Sequence, residues 1–435
     1  MAKNFFKNSA LWTAGLIVGN LIGAGILALP VSLGICGLVP SLILMGIYGA
    51  LMFFSAEVLS REAIERQEPF FDLPSLYGTY LGGWGKWAAV ITNGIILYGL
   101  LVAYISGGAQ IIADLTGLRH SQSLIALCLA ALLSFLTLLD LSIISKYNAL
   151  LVGVLICAFG ALIFLSFPAM KFSRLEETHW EYAPLAIPLI VTACHFHNII
   201  PLLCRDLNWD LRAMRKAIIL GMITALLMNI LWTVCGIATL PRHGSNSLVL
   251  AYIANLPATV PMGNLLQSKS FTIIAALFSL TAIATSFIAN GAGLMNFLHD
   301  LFTGLFCDSD KTLSAAVKFA AFLPPALIAV FYPAVFIKAL DVVGGVGIVT
   351  LFGILPCMIV LCKKSYSPKF RMAGAFFLLF ALAALLTAIA TLSGVKADLV
   401  PECQKNHGKI KFSIEVISKV IQKMAKMSFA KSCKG

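Results

Sequence analysis

Two short stretches of this chain hold the groups that could do chemistry. The first is GNLIGAGILALP, Gly19 to Pro30, where Gly19, Gly23 and Gly25 fall inside an apolar run. The second is LIVTACHFHNIIPLL, Leu189 to Leu203, where His195, His197 and Asn198 interrupt another apolar run and Pro201 follows. Glycine is among the poorest helix formers, and proline suits the first turn of a new helix because it has no N–H to leave unpaired. Both stretches therefore read as helices that stop and restart. Opening a helix bares amide N–H groups at the start of its second half, and these, with the local dipole, favour an anion such as a carboxylate. The carbonyls that end the first half favour a cation. An α-amino acid is a zwitterion, so a pair of broken helices suits both of its ends. The competing reading of the glycines is close helix packing by small residues at four-residue spacing. For the histidines it is a hydrogen-bonded helix contact.

The elements that must position these groups follow from composition. The chain has 435 residues, 60% hydrophobic and 11% charged, with mean hydropathy +0.93. A spanning helix needs about 20 apolar residues, and eleven segments qualify: 9–31, 37–60, 87–114, 121–140, 147–168, 183–204, 217–240, 270–300, 318–333, 338–362 and 372–395. The fold class is thus an all-α polytopic membrane protein. Irregular backbone at membrane depth survives only inside protein or beside a water-lined cavity. Interruptions in spans 1 and 6 match a 5+5 inverted repeat. The expected domain is 1–395, with repeats at about 9–168 and 183–362 and helix 11 at 372–395, followed by a tail at 396–435.

With the N-terminus inside, sixteen Lys and Arg fall in inner segments and six in outer loops, while the tail carries nine lysines. Orientation follows this bias, so the N-terminus is expected in the cytoplasm. The tail disagrees with eleven spans, which place it outside. Phe412, Val416, Ile417, Val420, Ile421 and Met424 give it the pattern of a basic amphipathic helix, suited to an anionic membrane surface or to a solvated extension. The net charge of +12 reports loops rather than nucleic acid. The eleven cysteines, nearly all placed singly in apolar segments, read as small buried hydrophobes, and no metal is expected. A membrane-embedded enzyme would use CHFH with Asp206 and Asp210. However, His195 and His197 are two apart and point to different faces of a regular helix, whereas helical metal-ligating histidines usually stand at i, i+4. A passive channel and a carrier of another solute, such as a branched-chain amino acid, are the remaining alternatives.

The chain resembles the bacterial aromatic and hydroxy-amino-acid permeases, above all the tyrosine-specific transport proteins. The resemblance is carried by IGAGILALP (Ile22–Pro30), AYISGGAQIIA (Ala103–Ala113), Phe196, His197 and Pro201, ATSF with GLMNFLHDLF (Ala284–Phe287, Gly293–Phe302) and FLPPALIAVFYP (Phe322–Pro333). It implies eleven helices of the leucine-transporter fold. It also implies proton-driven uptake of tyrosine, tryptophan or phenylalanine across the inner membrane, without catalysis and with no cofactor. The sequence departs from the family pattern at His195, where glycine is usual, at Asn198, where a small residue is usual, and at Gln110, where tyrosine carriers often have an acid.

On this basis the amides of Gly23, Ala24 and Gly25 are expected to hold the substrate carboxylate, and carbonyls near Asn20 and Cys194 the ammonium. Phe196, His197 and Asn198 shape the side-chain pocket, with His197 available to a phenolic hydroxyl. Tyr104 closes over the substrate, or is a packing tyrosine. Thr285 and Ser286 face the place where related carriers hold sodium, or are ordinary helix hydroxyls. Proton coupling needs a group that titrates near working pH. His195 and His197 are the ionisable side chains placed near mid-membrane, while Glu57, Asp114, Asp140 and Asp300 fall toward span ends. Sodium is the alternative coupling ion.

Overall fold

The computed structural model describes residues 10–67, 73–138, 141–303 and 310–395. The tail at 396–435 and Asp140 lie outside these residues. The described chain is almost wholly helical, because in lipid each backbone polar group must find its partner within the protein and a helix provides this segment by segment. Among the described residues nine helices are long and apolar enough to cross a membrane, and one bent pair, taken as a single span, makes a tenth.

The elements, in order, are α1 (Ala10–Leu21), α2 (Ala24–Gly34), α3 (Leu38–Arg66), α4 (Leu73–Thr116), α5 (Gln122–Leu138) and α6 (Leu141–Ser166). They continue as α7 (Ala183–Ala193), α8 (Ile200–Asp206), α9 (Leu211–Thr239), the short α10 (Leu248–Ile253) and α11 (Thr259–Leu266), and α12 (Lys269–Thr303). The chain ends with α13 (Asp310–Phe331), α14 (Phe336–Val342), a π-helical stretch Val343–Ile354, α15 (Leu355–Cys362) and α16 (Pro368–Ala390). Counting α1–α2, α7–α8 and α14–α15 as single spans, and including α6, recovers the eleven expected helices. This is the leucine-transporter type of bundle, with its first and sixth spans discontinuous.

Two spans differ from expectation for local reasons. The third span begins at Leu73 rather than 87, because a kink at Gly82 (φ 69°) joins a preceding helical turn to it. Only glycine adopts that left-handed conformation readily. The tenth span is not a uniform α-helix. Its middle widens into twelve residues of π-helix, rich in glycine, and long π stretches are rare outside functional sites. A Cβ on Gly344 would collide with the Pro188 carbonyl oxygen, and one on Gly347 would lie 2.6 Å from Ile96 Cγ1. The widened stretch thus packs directly on α7 and α4. The Tyr77 hydroxyl donates to the Leu351 carbonyl at 2.7 Å, pinning it to α4 as well.

At the end of the bundle that carries the N-terminus of α1, α3 is tied to its neighbours by charge. Glu62 is fully buried. It accepts from Lys363 at 3.0 and 3.2 Å, from the Tyr366 hydroxyl at 2.7 Å and from the Tyr80 hydroxyl at 2.8 Å. Glu57 pairs with Arg61 at 2.8 Å and with Arg215 of α9. At the opposite end, the loop after α6 covers the ends of α2 and α9. There the Arg174 guanidinium donates to the carbonyls of Ala238 and Thr239, and Arg242 donates to the Ile35 carbonyl.

Candidate functional site

The first break is narrow. Ile22 still bonds back to the Val18 carbonyl at 2.9 Å. Gly23 is extended (φ −120°, ψ −154°) and α2 begins at Ala24. The two halves bend by 60°. Gly19, read as part of the opening, remains inside α1. The amides of Gly23, Ala24 and Gly25 start the new half, where N–H groups have no intrahelical acceptor. Asn20 is half-buried in the last turn of α1, and its carbonyl oxygen lies 3.9 Å from the place a Cβ on Gly23 would take.

The second break is wider. α7 ends at Ala193, and Cys194 departs from the helix at φ −101°, ψ 10°. Phe196 (φ −144°, ψ 7°) leads into a single 3₁₀ turn, His197–Ile199, before α8 resumes with Pro201 in its first turn. Cys194 and Phe196 are buried. Asn198 is exposed, so it is not gathered with the buried rings around it in sequence.

The two breaks meet. A Cβ on Gly25 would stand 3.3 Å from Ala193 Cα and 3.5 Å from Ala193 Cβ, so the start of α2 rests on the end of α7. A Cβ on Gly23 would stand 3.1 Å from Ser286 Oγ, which sets the other side of the break against α12. The glycines therefore do both things their spacing allowed. They open the helix at Gly23 and permit close contact at Gly25.

Both histidines lie on the floor of the second break. The imidazole rings of His195 and His197 are near-parallel, with centroids 6.1 Å apart, and each sits 5.0 Å from the ring of Phe352 in the π-helical stretch. His197 Nε2 is 3.0 Å from the Met52 carbonyl. A carbonyl only accepts, so Nε2 carries the proton and Nδ1 is left as an acceptor. His197 Nδ1 and His195 Nε2 are buried without a hydrogen-bond partner among the described residues. Buried polar atoms are nearly always paired, so such exceptions call for an explanation.

The third wall is α4 and α12. Tyr104 is buried and packs edge-on against Phe287 at 6.5 Å. Thr285 Oγ1 donates back to the carbonyls of Thr281 and Ala282 at 2.9 and 3.2 Å, the geometry of an ordinary helix hydroxyl. Gln110 Nε2 is 3.4 Å from the Pro333 carbonyl, where the end of α13 meets α4.

Sequence reading missed three participants. Asn290, one turn along α12 from Ser286, donates to the Tyr104 hydroxyl at 3.3 Å and to the Ser286 carbonyl at 2.9 Å. Phe352 receives both imidazoles. Asp341 is a buried carboxyl near the start of the tenth span, in α14, which the sequence reading did not single out. Its neighbour Leu340 accepts from the Thr192 hydroxyl at 3.1 Å, linking α14 to the last turn before the second break. The signal for Asn290 was its i, i+4 spacing from Ser286, and for Asp341 an acid within an apolar run.

The tryptophan/tyrosine permease family matches residues 6–393 of this chain. The chain is 30% identical to the tyrosine-specific transport system 1 of Haemophilus influenzae, over 78% of its own length and 84% of that protein's. It is 25% identical to the low affinity tryptophan permease of Escherichia coli K12, over 83% and 89%. Among solved structures, mutants of the Eremococcus coleocola manganese transporter superpose with TM-scores of 0.59 and 0.60 at 14% and 13% identity. They cover 96% of this chain and 94% of theirs, a likeness of fold.

Proposed function

This chain belongs to the tryptophan/tyrosine permease family, and from that premise we propose that it imports an aromatic amino acid by proton symport, tyrosine first and tryptophan or phenylalanine next. Its relatives are transport proteins, so it is a multi-pass membrane carrier, and the enzyme reading of CHFH is set aside. In this reading the protein sits in a bacterial inner membrane with the end that carries Arg61 and Arg215 facing the cytoplasm, in keeping with the Lys/Arg bias.

The observation that supports this reading best is the contact of Gly25 with Ala193. It sets the start of α2, where the first amides have no intrahelical acceptor, against the end of α7, where the second break begins. The carboxylate of the substrate takes the amides of Gly23, Ala24 and Gly25, and carbonyls near Asn20 and Cys194 face its ammonium. Phe196, His197 and Tyr104 contact the aromatic ring. Stacking and edge-on contacts with such rings contribute about 0.5–1.5 kcal/mol each beyond burial.

Coupling runs through the imidazole pair in this reading. His197 has its donor nitrogen fixed on Met52 and its other nitrogen open, so one proton can be added without breaking the existing bond. Protonation places a positive charge beside the break, and substrate carboxylate and proton then stabilise one another inside a low-dielectric site. Release of one weakens the hold on the other, which is the linkage symport requires.

The test is uptake into proteoliposomes carrying the full chain. Labelled tyrosine should accumulate under an imposed inward proton gradient, and tryptophan and phenylalanine should compete where leucine does not. Accumulation under a sodium gradient alone would replace the proton with sodium. Flux without accumulation would make the protein a channel, and leucine as the better competitor would reassign the substrate.

A further inference from the structure

Asn290 is 8% exposed and lies inside the bundle on α12. Its side-chain amide is oriented by a backbone carbonyl. Nδ2 donates to the Ser286 carbonyl at 2.9 Å, and because a carbonyl has no proton to give, the amide cannot be turned around. Nδ2 also donates to the Tyr104 hydroxyl at 3.3 Å. That leaves Oδ1, which is buried with no hydrogen-bond partner among the described residues. A buried orphan acceptor is a standing cost to the fold. The site around it is tightly built: Ser286, which anchors the amide, also places its hydroxyl 3.1 Å from the Cβ position of Gly23 at the first break.

We propose that Asn290 Oδ1 accepts a hydrogen bond from the ammonium group of the carried amino acid. The inference rests on the function proposed above and adds a positioning contact to it. Reach selects the ammonium. Asn290 is one helical turn, about 5.4 Å, from the residue that touches Gly23. A carboxylate held on the amides at Gly23 shares its α-carbon with the ammonium, so that group lies within a turn of the break. The phenol or indole lies at the far end of the side chain. Chemistry agrees, because an ammonium has three donors and a neutral amide oxygen satisfies one without adding a charge. The Tyr104 hydroxyl, already accepting from Nδ2, holds the amide plane from the other side.

The experiment measures binding of L-tyrosine and of its deamino analogue, 3-(4-hydroxyphenyl)propionate, to the purified full chain, unaltered and as Asn290→Leu and Asn290→Asp. The unaltered protein should prefer tyrosine by about tenfold or more, the range of a hydrogen bond to a charged group. Asn290→Leu should narrow that gap severalfold by weakening tyrosine alone, with the analogue unchanged. Asn290→Asp keeps an acceptor oxygen in place and should keep or widen the gap. If tyrosine and analogue weaken together in Asn290→Leu, the residue only supports the fold and the inference is overturned. Should Asn290→Leu fail to fold, Asn290→Asp decides, and a vanished gap there overturns it. A different result, no binding of any aromatic amino acid by the unaltered chain, would overturn the function itself.

Discussion

The polar groups at the centre of the bundle and those at its Arg-rich end are treated in opposite ways. At the end, both oxygens of the buried Glu62 carboxylate are filled, by Lys363, Tyr80 and Tyr366. At the centre, His195 Nε2, His197 Nδ1 and Asn290 Oδ1 are just as buried and lack partners among the described residues. Burial costs are similar in the two places. A closed network fixes helices to one another, and an open one is a set of contacts held for something that comes and goes. The contrast separates what builds this carrier from what it carries.

The largest expected effect attacks the closed network. Glu62→Ala leaves the Lys363 ammonium and two tyrosine hydroxyls without their common partner. Breaking a buried pair from one side costs about 3–5 kcal/mol. Melting of the purified protein should drop steeply, with substrate affinity intact in the fraction that stays folded. Unchanged melting would mean that the network is decorative and the contrast false.

Next is Gly25→Val, which attacks the meeting of the two breaks. Its Cβ would press on the backbone of Ala193 at 3.3 Å. Overpacking of this kind costs about 1–3 kcal/mol in stability, less than the loss of Glu62. Uptake should suffer more, by about a hundredfold, because displacement of a positioned site by about 1 Å is enough for that. Full uptake by Gly25→Val would separate the first break from the substrate.

Much of this arrangement was legible before any coordinates. Eleven apolar runs pointed to a helical bundle, because lipid leaves the backbone no other partner, and glycine or histidine clusters in the first and sixth suggested two opened helices within it. What stayed hidden depends on contacts between spans. Asn290 is one asparagine in an apolar helix, and nothing local says that Tyr104 lies across from it. The π-helical stretch has the composition of any glycine-rich membrane helix, and its width follows from packing against Pro188 and Ile96. Asn198 looked equivalent to His197, yet a single 3₁₀ turn leaves one exposed and the other buried.

His197→Gln sharpens the contrast from the side of the open groups. Glutamine can still donate to the Met52 carbonyl and fill most of the space, but it cannot titrate. Melting should shift little. Uptake driven by a proton gradient should fall by about tenfold or more, the lower end of what positioned proton-transfer groups contribute, while exchange of aromatic amino acid at equal pH persists. Undiminished proton-driven accumulation would remove the imidazole pair as the coupling site and turn attention to Asp341.

The smallest effect is the most discriminating, because it is a slope expected in one region and absent in the other. Burial pulls the Lys363 ammonium toward neutrality, but the carboxylates of Glu65 and Glu62 outweigh it and hold its pKa above the usual lysine value. A lysine with a raised pKa contributes stability that is fully present below its unfolded-state value, about 10.4, and lost only as pH rises through the higher folded value. The difference in melting between the unaltered chain and Lys363→Met should therefore stay level from about pH 6 to pH 9. Proton-driven uptake consumes the proton itself, so its rate should vary across that same interval. A level melting difference beside a sloping uptake profile would show two polar regions under different rules. A melting difference that shrank across the interval would mean that the Lys363 pair is not held as the Glu62 and Glu65 contacts require.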